Sequence, residues 1–151
     1  MSNILDSLNK EQKEAVTTIN GPVLIIAGAG SGKTKALTHR IAYLIEQGIS
    51  PENILALTFT NKAAGEMKNR VQKLLGENKN MSVFLGTFHS FAAKILRREI
   101  DNLGYGKNFV IYDVSDVLSL LKEIIAELSL DSDQFKANGI YSAISRQKNE
   151  L

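Results

Sequence analysis

The stretch AGAGSGKT, Ala27 to Thr34, combines the three residue types that hold the phosphates of a nucleotide. Glycines let the backbone curl so that successive N–H groups face phosphate oxygens. Lys33 supplies a point charge for the β- and γ-phosphates, and the Thr34 hydroxyl suits Mg²⁺. A helix starting at Lys33 would add its positive end at the same spot. The general pattern G-x-x-x-x-G-K-[ST] asks for glycine at its first position. Ala27 stands there, followed by Gly28, Ala29, Gly30, Ser31 and Gly32. Only the glycines nearest the lysine must approach phosphate closely, so the alanine weakens the pattern without removing its chemistry. The competing reading is a glycine turn that merely joins a strand to a helix.

To position these residues, the chain needs a strand, the loop and a helix in line. VLIIA (23–27) is a continuous apolar run of the kind buried on both faces of a sheet. Lys33 to Gln47 reads as a helix, with Leu37, Ile41, Leu44 and Ile45 on one side and Gly48 at its stop. NILALTFT (53–60) reads as a second strand. Asn61 suits the cap of the next helix, whose stripe is Ala64, Met67, Val71, Leu74 and Leu75. SVFLGTF (82–88) reads as a third strand. Ser90 to Leu103 reads as a helix with Phe91, Ile95, Leu96, Ile100 and Leu103 inward. NFVIYD (108–113) reads as a fourth short strand. Asn9–Ile19, a segment around 117–128 and the stretch 137–151 read as further helices.

Successive strand–helix units imply an α/β fold with a parallel sheet and flanking helices. In such a sheet the strand-to-helix loops share one edge, which would gather residues 28–34, 60–62 and 87–90. From Ser115 onward the pattern is helical with no strand to cover, so the organisation reads as a piece of a larger protein.

Composition narrows the function classes. The 151 residues are 44% hydrophobic and 23% charged, normal for a globular chain of one domain. The absence of cysteine excludes disulfides and thiolate metal sites and fits a reducing cytoplasm. Two histidines, His39 and His89, are too few for a self-contained zinc site. The N-terminus lacks the features of a signal peptide, and VLIIA is far too short to span a membrane. A net charge of +2 neither favours nor excludes a nucleic-acid partner.

AGAGSGKT, with alanine first, resembles the form shown by the UvrD/Rep/PcrA-type superfamily 1 DNA helicases, most of all the PcrA-like bacterial members. Three further segments match in order. LNKEQKEAV (8–16) is similar to their Q motif. ALTFTNKAAGEMKNRV (56–71) and LGTFHSFAAKILRR (85–98) are similar to the next two helicase motifs. The resemblance runs from about Leu8 to the C-terminus and is weaker after Asp113.

The resemblance implies a P-loop NTPase with a partial RecA-like sheet. Residues 1–112 would be the leading part of the first motor domain, and 113–151 the start of an inserted helical subdomain. ATP and Mg²⁺ would be the cofactors. Gln12 would read the adenine edge and Arg40 would flank the nucleotide, beside Ala27 to Thr34. Phe59, Thr60, Asn61, Lys62, Thr87, Phe88 and His89 would meet single-stranded DNA. The whole enzyme would translocate 3′ to 5′, unwind duplex DNA, lie in the bacterial cytoplasm on the nucleoid, and work beside repair or replication proteins.

Read without the family, the DNA loops are compatible but weaker. Single-strand binding needs aromatic faces and phosphate donors. Phe59 and Phe88 supply faces; Thr60, Asn61, Lys62, Thr87 and His89 supply donors. Yet both phenylalanines end apolar strands and suit core packing equally well. Asn61 suits a helix cap, His89 a hydrogen bond to a neighbouring loop, and Gln12 the surface.

FVIYDV (109–114) imitates a strand ending in a Mg²⁺-organising aspartate. Val114 stands where the family has glutamate, so Asp113 and Asp116 read instead as helix-start residues. The Asp-Glu pair, the adenine-stacking aromatic and the arginines that stabilise the transferring phosphate are expected beyond Leu151. Loss of one such arginine costs about 10³–10⁵ in rate, so these residues alone are expected to be close to inactive. Two rivals remain: a small nucleotide kinase, which should carry an arginine-rich lid, and a non-enzymatic ATP-responsive DNA-binding module.

Overall fold

The computed structural model describes residues 4–76 and 82–150. They divide into two units, one up to Glu99 and one from Ile100 onward.

The first unit runs α1 (Lys10–Thr17), α2 (Lys33–Glu46), β1 (Leu55–Thr58), α3 (Asn61–Leu75), β2 (Phe84–Thr87) and α4 (Phe88–Glu99). β1 and β2 pair in parallel, from Leu55 opposite Phe84 to Thr58 opposite Thr87. Parallel neighbours require a crossover, and α3 provides it. The fold is therefore α/β with parallel strands flanked by helices.

The stripe expected on α3 is the one that is buried: Ala64, Met67, Val71 and Leu75. These side chains join Ile41 and Ala42 of α2, Ala56 of β1, and Ile54 and Val83 in one core. Val71 is fully buried, and each large apolar side chain removed from water here contributes about 1.5–3 kcal/mol. A second cluster, Leu8, Val16 and Ala36, fastens α1 to α2. It is reinforced by polar contacts. Nδ1–H of the buried His39 donates to the Lys35 carbonyl at 2.7 Å, so Nε2 accepts from the Ser7 hydroxyl at 3.3 Å. Lys35 Nζ also donates to the Ser7 carbonyl.

Several expectations need correction. VLIIA is in no ladder, and Leu24 and Ile26 are 85% and 89% exposed. An apolar β-branched run states that a segment seeks cover, but a ladder also requires a neighbour to accept its hydrogen bonds. Residues 108–113 likewise form no strand. The cap of α3 is Thr60, whose Oγ1 accepts from Ala63 N at 3.2 Å, and Asn61 is the first helical residue. α4 begins at Phe88, without the loop expected before Ser90, and has no buried residue. Ile95, Leu96 and Leu103 are exposed, and Ile100 alone of that stripe is buried.

The second unit holds a short 3₁₀ turn at Ile100–Leu103, then α5 (Val114–Glu127) and α6 (Ala137–Asn149). The expected extension of the last helix to Leu151 lies partly outside the described residues. α5 opens on a reciprocal cap. Asp113 Oδ1 accepts from Asp116 N at 2.9 Å, and Asp116 Oδ2 accepts from Asp113 N at 3.0 Å. The helix-start reading of both aspartates holds.

The Ser115 hydroxyl, donating to Asp113 at 2.6 Å, and then the Asp116 N–H hold the Asp113 carboxyl below its ordinary value of 3.8. A lowered folded pKa stabilises the fold above the unfolded pKa, and that contribution is lost as pH falls through the folded value. Asp113→Asn retains a capping oxygen without the charge. We therefore expect wild type to melt slightly higher than Asp113→Asn at neutral pH, with the gap closing as acid protonates the Asp113 carboxyl. A gap that stays constant with pH would show that the charge contributes nothing.

Among the described residues, no helix is long and apolar enough to cross a membrane.

Candidate functional site

The phosphate-loop residues sit in a turn built by glycine. Gly30 and Gly32 have φ of +75° and +87°, a region that other residues enter only with strain. Gly32 then caps α2 without any side-chain hydrogen bond, and the first turn of α2 carries no acidic residue. Asn9, Thr60 and Asp113, by contrast, cap α1, α3 and α5 with side-chain oxygens. The first-turn N–H groups of α2 and its positive end are thus presented to an outside anion.

Lys33 lies across this turn. Its Nζ donates to the carbonyls of Ala27 at 2.8 Å and Gly28 at 2.6 Å. Ser31 Oγ donates to the same Gly28 carbonyl at 2.7 Å. Ala27 therefore contributes its carbonyl, and the methyl group at the first pattern position does not obstruct the turn. Ala29, Ser31, Lys33 and Thr34 are exposed. Thr34 stands in the first turn of α2. Among the described residues, no group of three or more His, Asp or Glu is arranged to hold a metal.

A cavity of about 200 Å³ opens beside the loop. α1 forms one wall through Gln12 and Ala15, and Ile25, Ala27, Gly32 and Lys33 form the other. The lining combines polar groups, Glu11 and Gln12 of α1 and Ser31 and Lys33 of the loop, with the apolar Ile25, Ile26 and Ala27, the mixture typical of a small-molecule site. Gln12 faces this cavity and donates from Nε2 to the Ser31 carbonyl at 3.0 Å.

Arg40 does not line the cavity. Its Nη1 donates to the carbonyls of Ala15 at 2.7 Å and Thr18 at 2.6 Å. The last carbonyls of a helix lack intrahelical partners and attract cations. α1 has no basic residue of its own in its last turn, so Arg40 serves there from α2.

The second cluster lies at the C-terminal ends of β1 and β2. Because Thr58 is opposite Thr87, the following residues Phe59 and Phe88 come side by side. Their ring centroids are 5.7 Å apart with a tilt of 38°. Both rings are exposed, at 88% and 53%, which removes the core-packing reading. Thr60, Asn61, Lys62 and His89 are exposed beside them.

Thr87 differs, being buried and occupied. Its Oγ1 accepts from Ser90 N at 3.1 Å, and its N–H donates to Ser90 Oγ at 2.9 Å. This reciprocal pair turns the chain from β2 directly into α4. Gly86 makes the turn possible, since a Cβ there would lie 2.7 Å from Ser90 Oγ and 2.8 Å from the Phe84 ring. The two-stranded sheet thus brings two of the three expected loops to one edge. The phosphate loop is tied to α1 instead.

Sequence reasoning assigned no role to Asn9 or Ala15, and placed Ser90 at the sheet edge without its cap. The first was legible, because N-x-x-Q in LNKEQ is a capping-box pattern, and Asn9 and Gln12 form that box.

Comparison with known proteins gives a consistent result. Residues 8–151 match the family model described as the UvrD/REP helicase N-terminal domain. The whole chain aligns at 51% identity over 152 residues with the ATP-dependent DNA helicase PcrA of Staphylococcus aureus. The PcrA of Staphylococcus epidermidis aligns equally well, again at 51%. In both cases the chain covers 21% of the relative's length.

Proposed function

The chain belongs to the UvrD/REP helicase N-terminal domain family, and from that premise we propose that it is the ATP-holding part of a DNA helicase motor. The observation that carries this reading is the glycine turn that sets Lys33 at the uncapped start of α2, beside a cavity walled by α1. Residues 1–112 then serve as the leading part of the first motor domain, and 113–151 as the start of an inserted helical subdomain.

In this reading Lys33 exchanges the carbonyls of Ala27 and Gly28 for phosphate oxygens. The N–H groups at the start of α2 take the remaining phosphate charge. The base enters the cavity beside Gln12 and Ala15. The Thr34 hydroxyl would hold Mg²⁺, which would supply positive charge to offset that of the phosphates. Phe59 and Phe88 offer faces for unpaired bases, and Thr60, Asn61, Lys62 and His89 offer donors to the strand. Since the chain spans about a fifth of its relatives' length, ATP-driven 3′–5′ translocation and unwinding belong to the whole enzyme. It would act in the cytoplasm on DNA, beside repair or replication proteins.

The test is turnover by the full-length protein containing this segment. ATP hydrolysis stimulated by single-stranded DNA is the expected result. Phosphoryl transfer from ATP to a nucleoside monophosphate would establish a kinase instead, and absence of any DNA-stimulated turnover would overturn the motor reading.

A further inference from the structure

Gln12 makes contacts that reading a base does not require. Its backbone N–H donates to Asn9 Oδ1 at 2.8 Å, and its own Oε1 accepts from Asn9 N at 3.3 Å. That box fixes the side chain at the start of α1. From there Nε2 reaches the Ser31 carbonyl, 19 residues away, at 3.0 Å.

The fit is close. A Cβ on Gly32 would lie 2.6 Å from Gln12 Nε2, so the amide in this position abuts residue 32, whose φ of +87° itself favours glycine. Ser31 in turn bonds Gly28 through its hydroxyl, and Lys33 bonds the same carbonyl. A chain of contacts thus runs from α1 through Gln12, Ser31 and Gly28 to Lys33.

We propose that Gln12 is a positioning residue for the phosphate loop, holding its turn in place whether or not a base is bound. The proposal rests on the nucleotide-site reading above. A loop with three glycines has many alternative conformations, and a hydrogen bond from a fixed helix removes some of them before phosphate arrives. The amide has two N–H groups, so one remains for a base while the other holds Ser31. Holding the loop and reading the base therefore coexist on one side chain and must be separated by experiment.

A ligand without a base separates them. Calorimetric titration of the full chain with magnesium tripolyphosphate reads the loop alone. Gln12→Ala is expected to weaken tripolyphosphate binding by roughly 2- to 10-fold, the effect of one hydrogen bond. Gln12→Glu, which sets a carboxylate oxygen against the Ser31 carbonyl, should weaken it further. Equal tripolyphosphate affinity in wild type and both variants would overturn the positioning role, even if ATP binding fell. Failure of wild type to bind tripolyphosphate would instead overturn the phosphate-loop reading.

Amide hydrogen exchange of the ligand-free chain gives an independent readout. In Gln12→Ala, exchange should quicken at Gly30 to Lys33 while the middle of α2 keeps its protection. Unchanged exchange in the loop would overturn the proposal, and so would uniform acceleration through α2, which reports general destabilisation.

Discussion

Lys33→Ala is expected to lower the affinity of the chain for Mg·ATP by roughly 10- to 150-fold, the range for losing one charge-assisted hydrogen bond of about 1.5–3 kcal/mol. The range is bounded below full Coulomb strength for a visible reason. Lys33 already donates to two carbonyls, at 2.8 and 2.6 Å, and those bonds are given up when phosphate arrives. Net binding energy comes from replacing neutral acceptors with charged ones.

The same substitution should barely move the melting temperature, because Lys33 is exposed. A large loss of affinity with little loss of stability separates phosphate binding from a structural role. Lys33→Arg should not restore binding, since a planar guanidinium does not replace a compact ammonium in a turn this tight. Titration calorimetry and a thermal melt read both quantities, and unchanged affinity in Lys33→Ala would remove the loop from nucleotide binding.

Local features of this protein were legible in its sequence, and features that need a distant partner were not. The core stripe of α3 follows from its own spacing, and so does the capping box of α5. The phosphate loop was recognisable because its glycines, lysine and threonine are adjacent. VLIIA has the composition of a central strand, but whether it joins a ladder depends on a neighbouring segment that its own residues cannot specify. The apolar face of α4 fails for the same reason: amphipathic spacing marks a face that seeks cover without naming the cover.

Arg40 shows a subtler limit. The family resemblance places it beside the nucleotide, whereas here two carbonyls at the end of α1 hold the guanidinium. A cation near a helix end goes to the acceptors that lack partners, and only the packing of α1 on α2 reveals which those are. Thr87 is a parallel case. Its residue type offers a donor to a strand, but the direct junction of β2 and α4 uses its hydroxyl oxygen as an acceptor for Ser90 N–H. The exposed donors at that edge are Thr60, Asn61, Lys62 and His89.

The aromatic pair at that edge carries the second large effect. In the full-length protein, Phe59→Ala and Phe88→Ala should each weaken single-stranded DNA binding by roughly 5- to 150-fold, from about 1–3 kcal/mol per stacked base. Phe59 should lie at the upper end, since the residue is 88% exposed against 53% for Phe88. The rings touch at a tilt of 38°, so a base stacks on an outer face or parts the pair. Either mode depends on both side chains, and the double variant should lose less than the sum of the single effects. Salt dependence then separates stacking from charge. Removing a ring should lower affinity at every salt concentration and leave the slope of log K against log salt unchanged. Lys62→Ala should instead reduce that slope by about 0.7, the value for one phosphate contact on a single strand. Because all three side chains are exposed, melting temperatures should hold nearly constant throughout. Full DNA affinity in the Phe59→Ala/Phe88→Ala double variant would mean that the strand passes elsewhere and that this edge only joins β1 to β2.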